Sequence, residues 1–183
     1  MQTVNRPHIF AMLASAMEQL DLSIQDARLY NSGTGFLLYT FFVLDASGKP
    51  INEDVQRLDH IKRFLREQLK KSEIYLDIMR KRTPRQLRLF SMPTTTSMFT
   101  DTGKNQTVLE VITPDRPGLL ARIGRIFYTY GIQLQNAKIT TLGERVEDVF
   151  FITDHQQRPI DDPQLSAIIQ NAIKKELDEK AAA

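Results

Sequence analysis

Apolar residues at Leu119, Leu120, Ile123, Ile126, Phe127 and Tyr130 recur three and four positions apart, which places them on one helical face. Just upstream, Thr107 to Thr113 is dense in β-branched residues and reads as a strand. Pro117 suits the first turn of the helix, where its missing N–H costs nothing, and Gly131 is placed to end it. Ile132 and Leu134 then alternate, and Ala137 and Ile139 continue on the opposite phase, so Ile132 to Thr141 reads as a strand with a bulge. Leu142 to Arg145 is a turn and Val146 to Thr153 a third strand. Asp161 or Asp162 caps a second helix with Pro163 near its start and a stripe of Leu165, Ile168, Ile169, Ala172, Ile173 and Leu177.

The same pattern occurs earlier in the chain. "NRPHIFAMLASAMEQLDLSIQDARLYNSGTGFLLYTFFVLDASGKPI" starts at Asn5, and "DRPGLLARIGRIFYTYGIQLQNAKITTLGERVEDVFFITDHQQRPI" starts at Asp115. Arg6 and Pro7 fall on Arg116 and Pro117, Ala11 on Ala121, Ala27 on Ala137 and Gly33 on Gly143, at an offset of 110. Past that glycine the offset is 109, so that Phe42, Asp45, Pro50 and Ile51 meet Phe151, Asp154, Pro159 and Ile160. One extra residue in a glycine turn is an ordinary hairpin insertion. A period this long means two copies of a domain rather than a solenoid. Leu22, Ile24, Ala27 and Leu29 show the same phase slip as the later copy, which argues for a bulge in both.

Each copy reads β-α-β-β-α. With a fourth strand this is the ferredoxin-like βαββαβ sandwich, so the expected class is α+β, with two such sandwiches in tandem. The expected boundaries are residues 1–99 and 100–183, with a linker at about 72–88 and a strand at about 89–99 in the first domain. The second copy ends after its helix without a fourth strand. Leu89 to Phe99 joins Thr107 to Thr113 through "TDTGKNQ", a plausible hairpin, and is expected to fill that edge position. The first copy has only "MQTV" ahead of its helix, a truncated first strand. The chain therefore reads as a piece of a larger protein with Met1 at a formerly internal position; the alternative is a short strand completed by a partner chain.

Composition narrows the classes. The chain has 183 residues, 42% hydrophobic and 25% charged, with a net charge of +2. That charge is too small to argue for nucleic acid. The absence of cysteine excludes disulfides and thiolate metal sites. No apolar run approaches the roughly 20 residues of a membrane span, and Met1 to Phe10 has no apolar signal core, so the expectation is cytoplasmic, with no membrane partner.

The repeat, the element order and the segments "DRPGLLARIG" and "TTLGERVEDVF" resemble the ACT domain, a small ligand-binding regulatory module. In particular the chain is similar to the paired ACT domains at the C-terminus of the bacterial bifunctional PII uridylyltransferase/uridylyl-removing enzymes, a nitrogen-sensing family. The nucleotidyltransferase and phosphohydrolase signatures of those enzymes are not found, so no catalysis is expected of this chain. The resemblance implies an amino-acid effector, glutamine, at the first strand-to-helix turn, and no cofactor or metal.

Physical reasons accompany that site. A helix N-terminus offers unpaired N–H groups and a positive dipole end suited to a carboxylate. Gly118 lets a ligand approach the backbone, and Asp115 is placed to accept from an α-ammonium. Gln135 and Asn136 on the neighbouring strand would hydrogen-bond an amide side chain. The expected ligand-binding residues are thus Asp115, Arg116, Gly118, Leu119, Leu120, Gln135 and Asn136. The plain alternative is a well-capped helix start. A second site would comprise Asn5, His8, Ile9, Phe10, Gln25 and Asp26, although His8 stands where Gly118 does and departs from the family's pattern. His60 and His155 have no partners at ligand spacing.

Two further readings compete. In one, the ACT copies serve only to pair, without ligand. A nucleic-acid module is suggested by the basic run Arg80 to Arg88, but neither copy has the aromatic pattern for base stacking, so no nucleic acid is expected. Val149 and Phe151 point opposite to Phe150 and Ile152, so both faces of that strand want cover. This argues for a homo-oligomer or for catalytic domains against the sheet.

Overall fold

The computed structural model describes residues 2–4, 9–31, 36–51, 54–70 and 92–179. Along them run β1 (Gln2–Val4), α1 (Ile9–Gln19), β2 (Leu22–Asn31), β3 (Phe36–Asp45) and α2 (Val55–Lys70). Then come β4 (Thr95–Asp101), β5 (Gln106–Pro114), α3 (Leu119–Thr129), β6 (Gln133–Lys138), β7 (Thr141–Leu142), β8 (Arg145–Thr153) and α4 (Pro163–Glu179). The linker at about 72–88, the basic run, Asn5 and His8 lie outside the described residues.

Local chemistry explains the ends of the elements. The Asp162 carboxylate accepts from the Gln164 amide at 2.8 Å, and Pro163 is the first residue of α4. At the end of α3 the Gly131 amide reaches the Tyr128 carbonyl at 3.2 Å and the Ile132 amide the Phe127 carbonyl at 2.8 Å, a Schellman closure with Gly131 at C′. The bulges fall at the same repeat position. The register shifts between Ile24 and Asp26 in β2 and between Leu134 and Asn136 in β6, leaving Gln25 and Gln135 as the extra residues.

The strands form one antiparallel sheet in the order β1-β3-β2-β6-β8-β5-β4, with β7 paired to β8. The class is α+β, an antiparallel sheet with four helices, as in the ferredoxin-like ACT fold. β4 lies at the edge beside β5, joined to it by a tight turn. It runs Thr95–Asp101; residues 92–94 are not strand, and residues 89–91 of the expected strand lie outside the described residues. Just ahead of it, the Thr94 amide and hydroxyl both donate to the Asp178 carboxylate, at 3.1 and 2.6 Å, which draws the backbone towards α4.

The halves join through β2 and β6, where Ala27 pairs with Ala137. These two residues are equivalent in the repeat, so a local twofold relation passes between them. The equivalent helices meet above. A Cβ on Gly124 would lie 2.8 Å from the Ala11 Cα, so α1 and α3 approach to backbone distance there. The Phe10 and Phe127 rings stack across this contact at 6.4 Å.

One core runs between the sheet and the helices. Ile9, Leu13, Leu109, Ile123, Phe150, Ile152, Ile169 and Ile173 are fully buried. Each such side chain stabilises the fold by about 1.5–3 kcal/mol relative to an exposed one. Ile168, expected in the buried stripe of α4, is 50% exposed, because the stripe is narrower than the apolar spacing suggested. Val149 and Phe151 are half-buried on the opposite face of the sheet, where Lys104 sits over the Phe151 ring at 5.8 Å. Phe42 and Phe99, also directed away from the helices, are 51% and 52% exposed.

Candidate functional site

β5 ends at Pro114, and residues 115–118 turn the chain into α3. The turn is tied to the β7–β8 hairpin by the Asp115 amide, which donates to the Glu144 carbonyl at 2.8 Å. Gly118 is the N-cap residue, with φ 76° and ψ 8° and no side-chain cap. That left-handed conformation favours glycine and separates Pro117 from the helix. Pro117 therefore precedes the helix rather than forming its first turn.

The turn borders a cavity of about 330 Å³. Asp115, Arg116, Gly118, Leu119 and Leu120 line it from the second half. Ala14 and Glu18 of α1 and Leu22, Ser23 and Ile24 of β2 line it from the first half, while Thr141, Val146 and Asp148 come from the hairpin. The cavity thus lies between the two repeats.

Glu18 fills the role expected of a ligand carboxylate. Its Oε1 accepts from the Gly118 amide at 2.7 Å, at the positive end of α3. Arg116 turns away towards α4: it is 9% exposed, and its Nη1 donates to the Leu177 carbonyl in the last turn of that helix at 3.3 Å.

Asp148 is 1% exposed. Its Oδ1 accepts from the Thr140 amide at 3.2 Å, while its buried Oδ2 has no hydrogen-bond partner among the described residues. An unsatisfied buried oxygen costs on the order of 1–3 kcal/mol, and more if charged. Burial pushes the Asp148 carboxyl up to about 7; the Thr140 amide opposes the shift and the Asp115 charge adds to it. Burial also raises the Asp115 carboxyl, partly offset by a hydrogen bond from the Arg116 amide.

Gln135 and Asn136 are not brought to this cavity. The bulge turns Gln135 to the Thr153 hydroxyl, to which its Nε2 donates at 2.9 Å. Asn136 lies opposite Phe151 and Arg28 on the sheet. From the expected second site, Ile9 and Phe10 are buried at the start of α1. The Gln25 carbonyl accepts from the Ile139 amide at 3.1 Å, and Asp26 pairs with Arg28 at 3.1 Å. His60 and His155 are exposed, and no group of metal-ligating side chains occurs among the described residues.

Glu18 and Asp148 were not among the expected site residues. Asp148 had a signal: Val146, Asp148, Phe150 and Ile152 share one face of β8, and an acid in that apolar phase requires a reason. Glu18 had none, because its role depends on how two distant helices cross. At the offset of 109, the first copy's equivalent of Asp148 is Tyr39. Tyr39 is 6% exposed, and burial pushes its hydroxyl up to about 12.

Residues 107–170 match the model of the ACT domain. The chain is 48% identical over 171 residues, 93% of its length, to a bifunctional uridylyltransferase/uridylyl-removing enzyme of Stutzerimonas stutzeri (strain A1501). It is 49% identical over 168 residues, 92% of its length, to the enzyme of the same name from Pseudomonas putida (strain W619), and 50% identical over 168 residues to that of Pseudomonas entomophila (strain L48). The chain spans 19% of the length of each of these relatives. Among the described residues no helix is long and apolar enough to cross a membrane.

Proposed function

From a chain that carries an ACT domain, we propose a regulatory module in which two ACT copies share one sheet and bind a small amino acid, glutamine, in the cavity between them. Its output is the activity of the catalytic domains of a PII uridylyltransferase/uridylyl-removing enzyme, which it adjusts to nitrogen supply. Residues 1–99 and 100–183 supply the two copies, with β4 contributing to the sheet of the second.

The observation that carries this reading is the position of the cavity. Its walls come from α1 and β2 on one side and from the β5–α3 turn and β8 on the other. An occupant touches both halves, so its affinity differs between two arrangements of them, which is the physical requirement for a regulatory effect. A typical coupling of about 1–3 kcal/mol changes activity about 5- to 150-fold. A ligand carboxylate reaching the α3 N-terminus displaces Glu18 from the Gly118 amide, so binding is registered at α1. The test is calorimetric titration of the chain with glutamine beside glutamate, alanine and ammonium. Saturable binding of glutamine alone supports the assignment, and heat with none of them ends it.

One observation favours a second reading, a pairing module without ligand. The Gly118 amide already has a carboxylate partner in Glu18, which closes the contact between the halves unaided. In a thermal-shift assay, a ligand at about 100 times its Kd adds about 2.7 kcal/mol of stability. A flat response to every L-amino acid at millimolar concentration selects the pairing module.

A further inference from the structure

We propose that Asp148 is the group that recognises the ammonium of the bound amino acid, and that this subsite exists once per chain. The inference rests on the amino-acid reading of the cavity and names the residue and the polarity of binding within it.

Asp148 stands in a row of inward-facing β8 residues whose other members, Val146, Phe150 and Ile152, are apolar and at most 2% exposed. It lines the cavity, and one of its two carboxyl oxygens is buried without a hydrogen-bond donor among the described residues. A donor supplied by the occupant completes it. The surrounding groups say what kind of donor. Asp115 from the β5–α3 turn and Glu18 from α1 share the cavity and are acids. Ser23 and Thr141 add neutral hydroxyls. The one basic lining residue, Arg116, directs its Nη1 to the Leu177 carbonyl. A primary ammonium brings positive charge and three N–H donors, and so serves Asp148 and Asp115 together.

The other half lacks this equipment. Tyr39 holds the repeat position of Asp148, buried beneath the helices, and offers a neutral phenol rather than a carboxylate. The first copy also carries Asn5 where the second has Asp115, and His8 where it has Gly118. Both acids of the ammonium subsite are therefore specific to the second copy.

Proton release is a consequence. A neighbouring ammonium favours the carboxylate form, so occupancy below neutral pH displaces a proton from Asp148. Glu18, Asp115 and Arg116 are the other charged residues lining the cavity, Arg116 with its Nη1 directed to the Leu177 carbonyl. Of these, the Asp115 charge resists ionisation of Asp148.

The decisive measurement compares L-glutamine with its desamino analogue, 4-carbamoylbutanoate, on the whole chain and on Asp148→Asn. The wild-type chain should prefer glutamine by about tenfold or more, the scale of one charge-assisted hydrogen bond. Asp148→Asn should reduce that preference to within about threefold. It should also abolish the proton release read from titrations at pH 6.5 in buffers of different ionisation enthalpy. A variant that keeps both the preference and the proton release overturns the inference and leaves the amino-acid reading standing. If the variant does not fold, the wild-type pH profile decides. Glutamine affinity rising between pH 5.5 and 8 while the analogue's does not supports the assignment, and parallel profiles refute it. A wild-type chain that binds no L-amino acid removes both readings.

Discussion

Glu18, in the last turn of α1, accepts a hydrogen bond from the Gly118 amide 100 positions along the chain, at 2.7 Å. A protein carboxylate thus sits at the helix terminus where a ligand carboxylate would go. Glu18→Ala opens that position. The expected outcome is a several-fold gain in glutamine affinity by calorimetry, with a loss of about 1–3 kcal/mol in stability for the missing charge-assisted bond. Unchanged affinity would mean that the ligand carboxylate binds elsewhere.

Gly118→Ala tests backbone conformation rather than space. A Cβ there meets nothing closer than 3.9 Å, yet φ is +76°. The expected loss is about 1–2 kcal/mol, the cost of a left-handed conformation for a residue with a Cβ, seen as a lower urea midpoint. A larger side chain such as valine adds strain to any effect on binding, so binding by such variants must be compared with their stability.

Gly124→Ala probes the seam between the halves. Its new methyl would stand 2.8 Å from the Ala11 Cα and 2.9 Å from a Phe10 ring carbon. Backbone cannot yield as a flexible side chain does, so α1 and α3 must separate. The expected cost is about 1–3 kcal/mol. The signature is a lower melting temperature together with weaker ligand binding, because the cavity is walled by both helices.

Stability should depend on pH through Asp148. Its carboxyl is raised to about 7 in the folded chain from an ordinary value of 3.8. Between those values the folded chain holds a proton that the unfolded chain has released, so stability falls as pH rises through the window. The slope approaches about 1.4 kcal/mol per pH unit and levels off above neutrality. Asp148→Asn should flatten that portion of the profile. Urea melts from pH 4 to 8 measure it, and superimposable profiles for the two chains would show that the carboxyl is not perturbed.

The repeat made much of the fold legible. A phase slip at the same place in both copies located bulges at Gln25 and Gln135, and the turn sequence after Phe99 placed β4 beside β5. The turn residues Asp115, Gly118, Leu119 and Leu120 line the cavity. What escaped was the second wall. Glu18 meets Gly118 because equivalent strands pair about Ala27 and Ala137, a geometry that depends on tertiary register rather than on local pattern. Gln135 was misplaced because a bulge rotates the very residue it inserts. Asp148 was visible as an acid in an apolar phase, but the cavity beside it depends on tertiary packing.

The pairing of Ala27 with Ala137 has a stoichiometric consequence. Symmetric surfaces on separate chains must find one another, and their association depends on dilution. Here the tether makes the encounter intramolecular, so the pairing of the two halves is independent of protein concentration. It also frees the two copies from identity. Exchangeable identical subunits would carry the same residue at both equivalent positions, whereas one continuous chain holds an aspartate at 148 and a tyrosine at 39, and so presents two chemically different positions at equivalent places in the repeat.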